Sequence, residues 1–306
     1  QIDLGGPGCL IYNIFPIPQI HNKIYDMDTQ TTRSVPTWWG CMGGFRLVTL
    51  QYSRFYQLYA AVQLVANDEA YTKESLREAL AERKDLDANL PDSEEGAKDV
   101  IEELKNALLI QETDGQIELT SEAELPQNSR LLFSGKAVSE SIYAANDTEA
   151  YDRILTNLTY SHPELLNIAK EVYRNKPLEK FEIKRAIAGD APFGNKLNDF
   201  TIDIGVELLS DADVIRKSNR GYTDGRCPIT LLAHLIYEEY GAVASGDEDG
   251  VSEQELFERI ELMYGIEKST FENHLSRLQR HGFVTPGSYG EITLDEDAFH
   301  AARIHE

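Results

Sequence analysis

The stretch that decides the reading is Ser252–Leu294, SEQELFERIELMYGIEKSTFENHLSRLQRHGFVTPGSYGEITL. Ser252 suits a helix start, because its hydroxyl can accept from one of the amides that an N-terminus leaves unpaired. From Glu253 to Met263, Leu256 and Ile260 recur at helical spacing. Glu267–His281 does the same with Phe271, Leu275 and Leu278. Phe283–Leu294 then reads as a hairpin, turning around Pro286-Gly-Ser-Tyr-Gly290. With the apolar run Ile229–Tyr240 ahead of it, the order is helix, helix, helix, hairpin.

The same order occurs twice upstream. In the first copy, Phe55–Ala66 is apolar at helical spacing and Thr72 caps Lys73–Arg83, with Leu76 and Leu80 on one face. Ser93 caps Glu94–Leu108, and Ile110–Thr120 turns at Asp114-Gly115, a strong hairpin signal between extended runs. In the middle copy, Pro163 opens a helix to Arg174, followed by Leu178–Ala188, Lys196–Leu209 and a hairpin from Val214 to Thr223 that turns at Ser218-Asn-Arg-Gly221. A leucine six residues before an aliphatic strand residue ties the copies together: Leu104/Ile110, Leu208/Val214 and Leu278/Val284. The unequal intervals argue against a regular solenoid and for separate small domains. Glu122–His162 reads as a connector, with helices over Lys136–Ala145 and Asp152–Leu158, bracing the first two copies.

This grammar resembles the winged-helix superfamily, a variant of the helix-turn-helix. The expected fold class is mostly α with small β-hairpins (α+β). Its expected arrangement is an extension over 1–50, winged helices over 51–121, 163–226 and 227–306, and the connector over 122–162. The resemblance implies that the third helix of a copy enters a DNA major groove while the hairpin touches the backbone. The same fold serves widely as a protein–protein module, so it does not settle function.

Charge constrains the partners. The 306 residues hold 29 bases and 52 acids, a net charge of −23 that disfavours broad attraction to nucleic acid or anionic membrane. It suits a salt-rich, halophilic cytoplasm. At 42% hydrophobic and 26% charged, the composition is that of a folded chain. The longest apolar run, Phe55–Ala66, falls well short of the ~20 residues of a membrane helix. No secretory signal is evident, and three scattered cysteines suggest no disulfide framework, so a cytoplasmic location is expected.

Residues 1–50 are neutral, with Asp3, Asp26 and Asp28 against Lys23, Arg33 and Arg46. They contain Trp38 and Trp39, close to Phe45, among Gly40, Gly43 and Gly44. Such a segment is either a partner-binding surface or a clamp on a ligand, or else an extension packed on the first copy.

Affinity for DNA needs Lys and Arg at phosphates and short polar groups at base edges. Glu94–Leu108 sets five acids against two lysines and would repel a duplex. Lys196–Leu209 is also acidic, yet its hairpin carries Arg216, Lys217, Arg220 and Arg226. These are candidate phosphate contacts, or else a basic hairpin that pairs with acids elsewhere on the chain. Glu267–His281 offers Lys268, Ser269, Thr270, Asn273, Arg277 and Arg280, the best groove reader of the three, unless it is an ordinary amphipathic helix.

No phosphate loop, zinc-protease motif or nucleophile elbow occurs. Cys9, His21 and Cys41 match no common metal spacing, and Asp247–Asp249 lacks the ligand pattern of a calcium loop. No catalytic residue, metal or cofactor is expected. The leading expectation is a non-enzymatic DNA-binding protein, such as a transcription regulator or a recognition subunit of a replication or defence complex, with weak duplex affinity of its own. The alternative is an interaction subunit whose winged helices and Trp38/Trp39 segment bind proteins. A membrane partner is not expected.

Overall fold

The computed structural model describes residues 54–67, 71–82, 94–127, 130–187, 199–244 and 250–304. The expectations for Trp38, Trp39 and Phe45, for Ser93, for Lys196 and for Asp247–Asp249 fall outside these residues. What is described is mostly helical with small antiparallel sheets.

The order helix, helix, helix, hairpin occurs three times. Repeat 1 is α1 (Arg54–Ala66), α2 (Lys73–Glu82), α3 (Glu94–Asn106), β1 (Ile110–Thr113) and β2 (Gln116–Leu119). The connector supplies α4 (Gly135–Tyr143) and α5 (Asp147–Ser161). Repeat 2 is α6 (Glu164–Asn175), α7 (Lys180–Ile187), α8 (Asp199–Asp211), β3 (Ile215–Ser218) and β4 (Gly221–Asp224). Repeat 3 is α9 (Ile229–Val243), β5 (Val251–Ser252), α10 (Glu253–Tyr264), α11 (Lys268–Arg280), β6 (Val284–Pro286) and β7 (Glu291–Leu294), followed by α12 (Glu296–Ala301).

Local chemistry sets many of the boundaries. Thr72 Oγ1 accepts from the Ser75 amide at 3.1 Å, and Ser252 Oγ accepts from Glu255 at 3.3 Å, as the expected caps require. Gly265, left-handed at φ 68°, closes α10. Asp114 and Gly115, at φ 52° and 81°, make the tight turn that pairs Thr113 with Gln116. Asn146 caps α5, which starts five residues earlier than Asp152 and runs to Ser161.

The repeats agree in backbone detail. After the third helix of each, one residue turns left-handed: Leu108 (φ 57°), Asp213 (φ 56°) and Gly282 (φ 72°). The next amide returns to the carbonyl five residues back, as Leu109 to Leu104, Val214 to Leu209 and Phe283 to Leu278, each at 2.9 Å. This is a Schellman stop, in which the left-handed residue bonds the following carbonyl. It corrects the leucine pairing of the middle repeat. The equivalent pair is Leu209/Ile215, not Leu208/Val214. All four side chains are buried, so apolar pattern alone could not choose between the two registers.

A second shared feature escaped the sequence pattern. In each repeat, the chain between the first two helices pairs with the second hairpin strand: Tyr71 with Ile117, Leu178 with Tyr222, and β5 with β7 through Val251 and Ile292. In repeat 3 this gives a sheet of order β5-β7-β6.

The repeats are not beads on a string. The described residues all fall in one compact unit with a continuous apolar core. In it α1 packs on α4, α5 and α8, and α6 packs on α9 and α10. The connector joins repeat 1 by filling the hydrogen bonds that α3 leaves open at its C-terminus. Asn157 Nδ2 donates to Ala107 O at 2.7 Å and to Phe133 O at 2.8 Å, and Ser161 Oγ donates to Asn106 O at 2.6 Å. Repeat 3 is tied to the connector as well. Arg130 Nη1 donates to the carbonyls of His281 at 3.2 Å and Gly282 at 2.9 Å, at the end of α11.

Candidate binding cleft

α11 begins at Lys268 after Glu267, which makes no side-chain cap. Phe271, Leu275 and Leu278 turn inward and are buried. Thr270, Asn273, His274 and Arg277, spaced i, i+3, i+4 and i+7, therefore share another face. That face forms one wall of a cleft of about 970 Å³. The opposite wall comes from α5, through Glu149, Asp152, Arg153 and Thr156. The chain from Asp224 to Ile229, linking β4 to α9, and Tyr173 on α6 complete it.

Most charges along these walls are already paired. Arg226 bonds Asp152 and donates to Ala212 O at 3.1 Å. Arg153 Nη2 meets Glu149 at 2.6 Å, and Lys176 meets Asp224 at 2.9 Å. Asp224 lies below the usual carboxylate range; burial opposes this, but hydrogen bonds from Lys176 and Thr223 prevail. Half-buried Arg277 makes no ion pair among the described residues.

Three polar atoms here lack hydrogen-bond partners, one of them Arg153 Nε. The hydroxyl of Tyr173, a residue 2% exposed, has no hydrogen bond. The Gly225 amide beside it donates to Val214 O at 2.9 Å. His274 Nε2 lies 2.9 Å from Cys227 O and, being next to a carbonyl, must be the protonated nitrogen. Nδ1 is then a lone-pair acceptor, and it too has no partner. Burial holds His274 below the usual histidine pKa, so it is neutral at pH 7. Burial also lifts the Cys227 thiol to about 12, which leaves it unreactive at neutral pH.

The expected DNA contacts are divided among three places. Arg226, Ser269, Thr270, Asn273 and Arg277 gather in the cleft. Arg216, Lys217 and Arg220 are exposed on the β3–β4 hairpin, but Arg216 grips Asp213 through two bonds of 2.7 Å. Hydrogen bonding from that guanidinium draws the Asp213 carboxyl below its ordinary pKa. Lys268 and Arg280 are exposed outside the cleft, Lys268 being 3.7 Å from Glu272. Tyr173, Asp152 and Arg153 were not singled out by sequence, since they lie far along the chain from α11 and carry no local motif.

Among the described residues no group of three His, Cys, Asp or Glu is placed to hold a metal ion, and no helix is long and apolar enough to cross a membrane. No protein-family model, no curated protein and no solved structure matches this chain.

Proposed function

We propose that the chain is a non-enzymatic interaction subunit, a packed array of three winged-helix units that binds a protein partner. The observation that carries this reading is the cleft facing α11. A recognition helix must protrude to enter a major groove ~12 Å wide. The polar face of α11 is instead set into a concavity opposite α5. The winged-helix assignment is supported by the three identical helix stops and by the strand pairings between first and second helices. The net charge of −23 favours the same reading, as does the pairing of Arg216 and Arg226 with acids of the same chain.

A second reading keeps DNA as the partner, contacted through the β3–β4 hairpin. Exposed Lys217 and Arg220, which have no ion pair among the described residues, favour it. The two readings separate in one comparison. The chain and its Lys217→Ala, Arg220→Ala double variant are titrated with duplex across a salt series, and each is also used to recover partners from its native lysate. A protein partner recovered by both, with no salt-dependent duplex binding, supports the interaction subunit. Duplex binding whose salt slope flattens in the double variant overturns it in favour of DNA.

A further inference from the structure

We propose that the cleft between α5 and α11 takes an extended acidic peptide segment, one carboxylate of which pairs with Arg277. The proposal rests on the interaction-subunit reading and names the chemistry of its partner.

Three observations point to this ligand. First, the α11 N-terminus opens into the cleft without a side-chain cap, so its leading amides are donors for a peptide carbonyl. Second, the cleft lining holds two orphan donors, the Tyr173 hydroxyl and Arg153 Nε, and one orphan acceptor, His274 Nδ1. A buried polar group without a partner is costly and calls for a ligand that supplies one. A peptide backbone brings both a carbonyl and an amide, whereas a phosphodiester backbone has only acceptors and leaves Nδ1 unpaired. Third, the charge is suited to a single carboxylate. Arg226 and Arg153 are committed to Asp152 and Glu149, so Arg277 is the cation to spare among these walls, and the lining acid unpaired among the described residues, Glu267, lies ten residues away at the other end of α11. One guanidinium fits one carboxylate through two parallel bonds. A nucleic-acid strand adds a charge per nucleotide to a chain already at −23.

The length follows from the helix. Thr270 and Arg277 are seven residues apart, ~10 Å along α11 at 1.5 Å per residue. An extended peptide covers that with about three residues at ~3.3 Å each. A segment of this size runs along the Thr270–Asn273–His274–Arg277 face, with its acidic side chain at the Arg277 end.

The test is titration of the full chain by NMR with three probes: Ac-Gly-Glu-Glu-Gly-NH2, its Gln-Gln counterpart and hexathymidylate. The expected result is saturable shifts at the amides of 268–277 and 224–229 with the Glu peptide, and binding of the Gln peptide at least tenfold weaker. Arg277→Gln is expected to weaken the Glu peptide about tenfold. Tyr173→Phe keeps the packing and removes only the hydroxyl, so it is expected to weaken binding about fivefold. Equal binding of the Glu and Gln peptides, absence of shifts in the cleft, tighter binding of hexathymidylate, or an Arg277→Gln variant that binds normally overturns the proposal. If the peptide arm fails while a protein partner is still recovered from lysate, the cleft assignment falls and the interaction-subunit reading stands.

Discussion

Arg216 holds Asp213 at two points, Nε on Oδ1 and Nη2 on Oδ2, both at 2.7 Å. Asp213 is also the left-handed residue that ends α8. The residue that stops the helix therefore neutralises the first arginine of the hairpin. Arg216→Ala is expected to leave the salt dependence of any residual duplex affinity unchanged. Asp213→Ala, by freeing the guanidinium, is expected to steepen the slope of log affinity on log salt by up to ~0.9, the value of one phosphate contact. A flattened slope in Arg216→Ala shows that the pair opens for DNA.

Asn157 is fully buried and joins two segments through its amide. It donates to Ala107 O and Phe133 O and accepts from the Phe133 amide at 3.0 Å. Asn157→Ala strands those backbone groups away from water. The expected loss is about 2–4 kcal/mol in urea unfolding, against well under 1 kcal/mol for a surface substitution such as Glu140→Ala.

His162 sits between the ends of α5 and α6, fully buried. Its Nε2 meets Glu103 of α3, and its Nδ1 lies 3.9 Å from Glu164. Burial opposes the imidazolium, but the carboxylates of Glu103 and Glu164 outweigh it and raise the His162 pKa. The native state then holds a proton that the unfolded chain releases first as pH rises. This stabilisation is complete below the unfolded value, ~6.5, and fades as pH climbs through the native value. His274 and His281 are shifted down and act with the opposite sign. The difference between the wild type and His162→Gln, followed by urea unfolding from pH 6 to 9, isolates the His162 contribution. It is expected to shrink with rising pH, and a difference that grows with pH refutes the assignment.

Gly135 and Gly241 test the packing from opposite sides. A Cβ at Gly135 would stand 1.9 Å from Leu109 O, so Gly135→Ala is expected to cost 2 kcal/mol or more, about the scale of overpacking. A Cβ at Gly241, within α9, meets nothing within 4 Å. Gly241→Ala is expected to stabilise by ~0.5–1 kcal/mol through helix propensity and a less flexible unfolded chain. Thermal unfolding of the two variants should shift Tm in opposite directions.

Much of the fold was legible because it is local. Thr72 and Ser252 act on amides three residues away, and Asp114-Gly115 turns on its own backbone. The apolar stripe Phe271-Leu275-Leu278 points inward because helical geometry requires it. The contact between the first interhelical segment and the hairpin was not legible, since one paired residue, as at Tyr71 or Leu178, leaves no alternating run. The register of Leu209/Ile215 was hidden for another reason. Two consecutive buried leucines satisfy the same apolar pattern, and only the hydrogen bond into the helix end distinguishes them.

The candidate site divides in the same way. Sequence identified the polar face of α11 and the basic hairpin, because residue type and helical spacing are enough for that. Tertiary structure decided what those residues meet. Asp152 reaches Arg226 across 74 positions of chain, and Cys227 O accepts a hydrogen bond from His274 Nε2 across 47. The chain by itself determined the threefold order of helices and hairpins, since caps, turns and apolar periods act within a few residues. Only packing α5 against repeats 2 and 3 turned the outward face of a helix into the wall of a cleft, because ion pairs and concavities are made between segments that the sequence keeps apart.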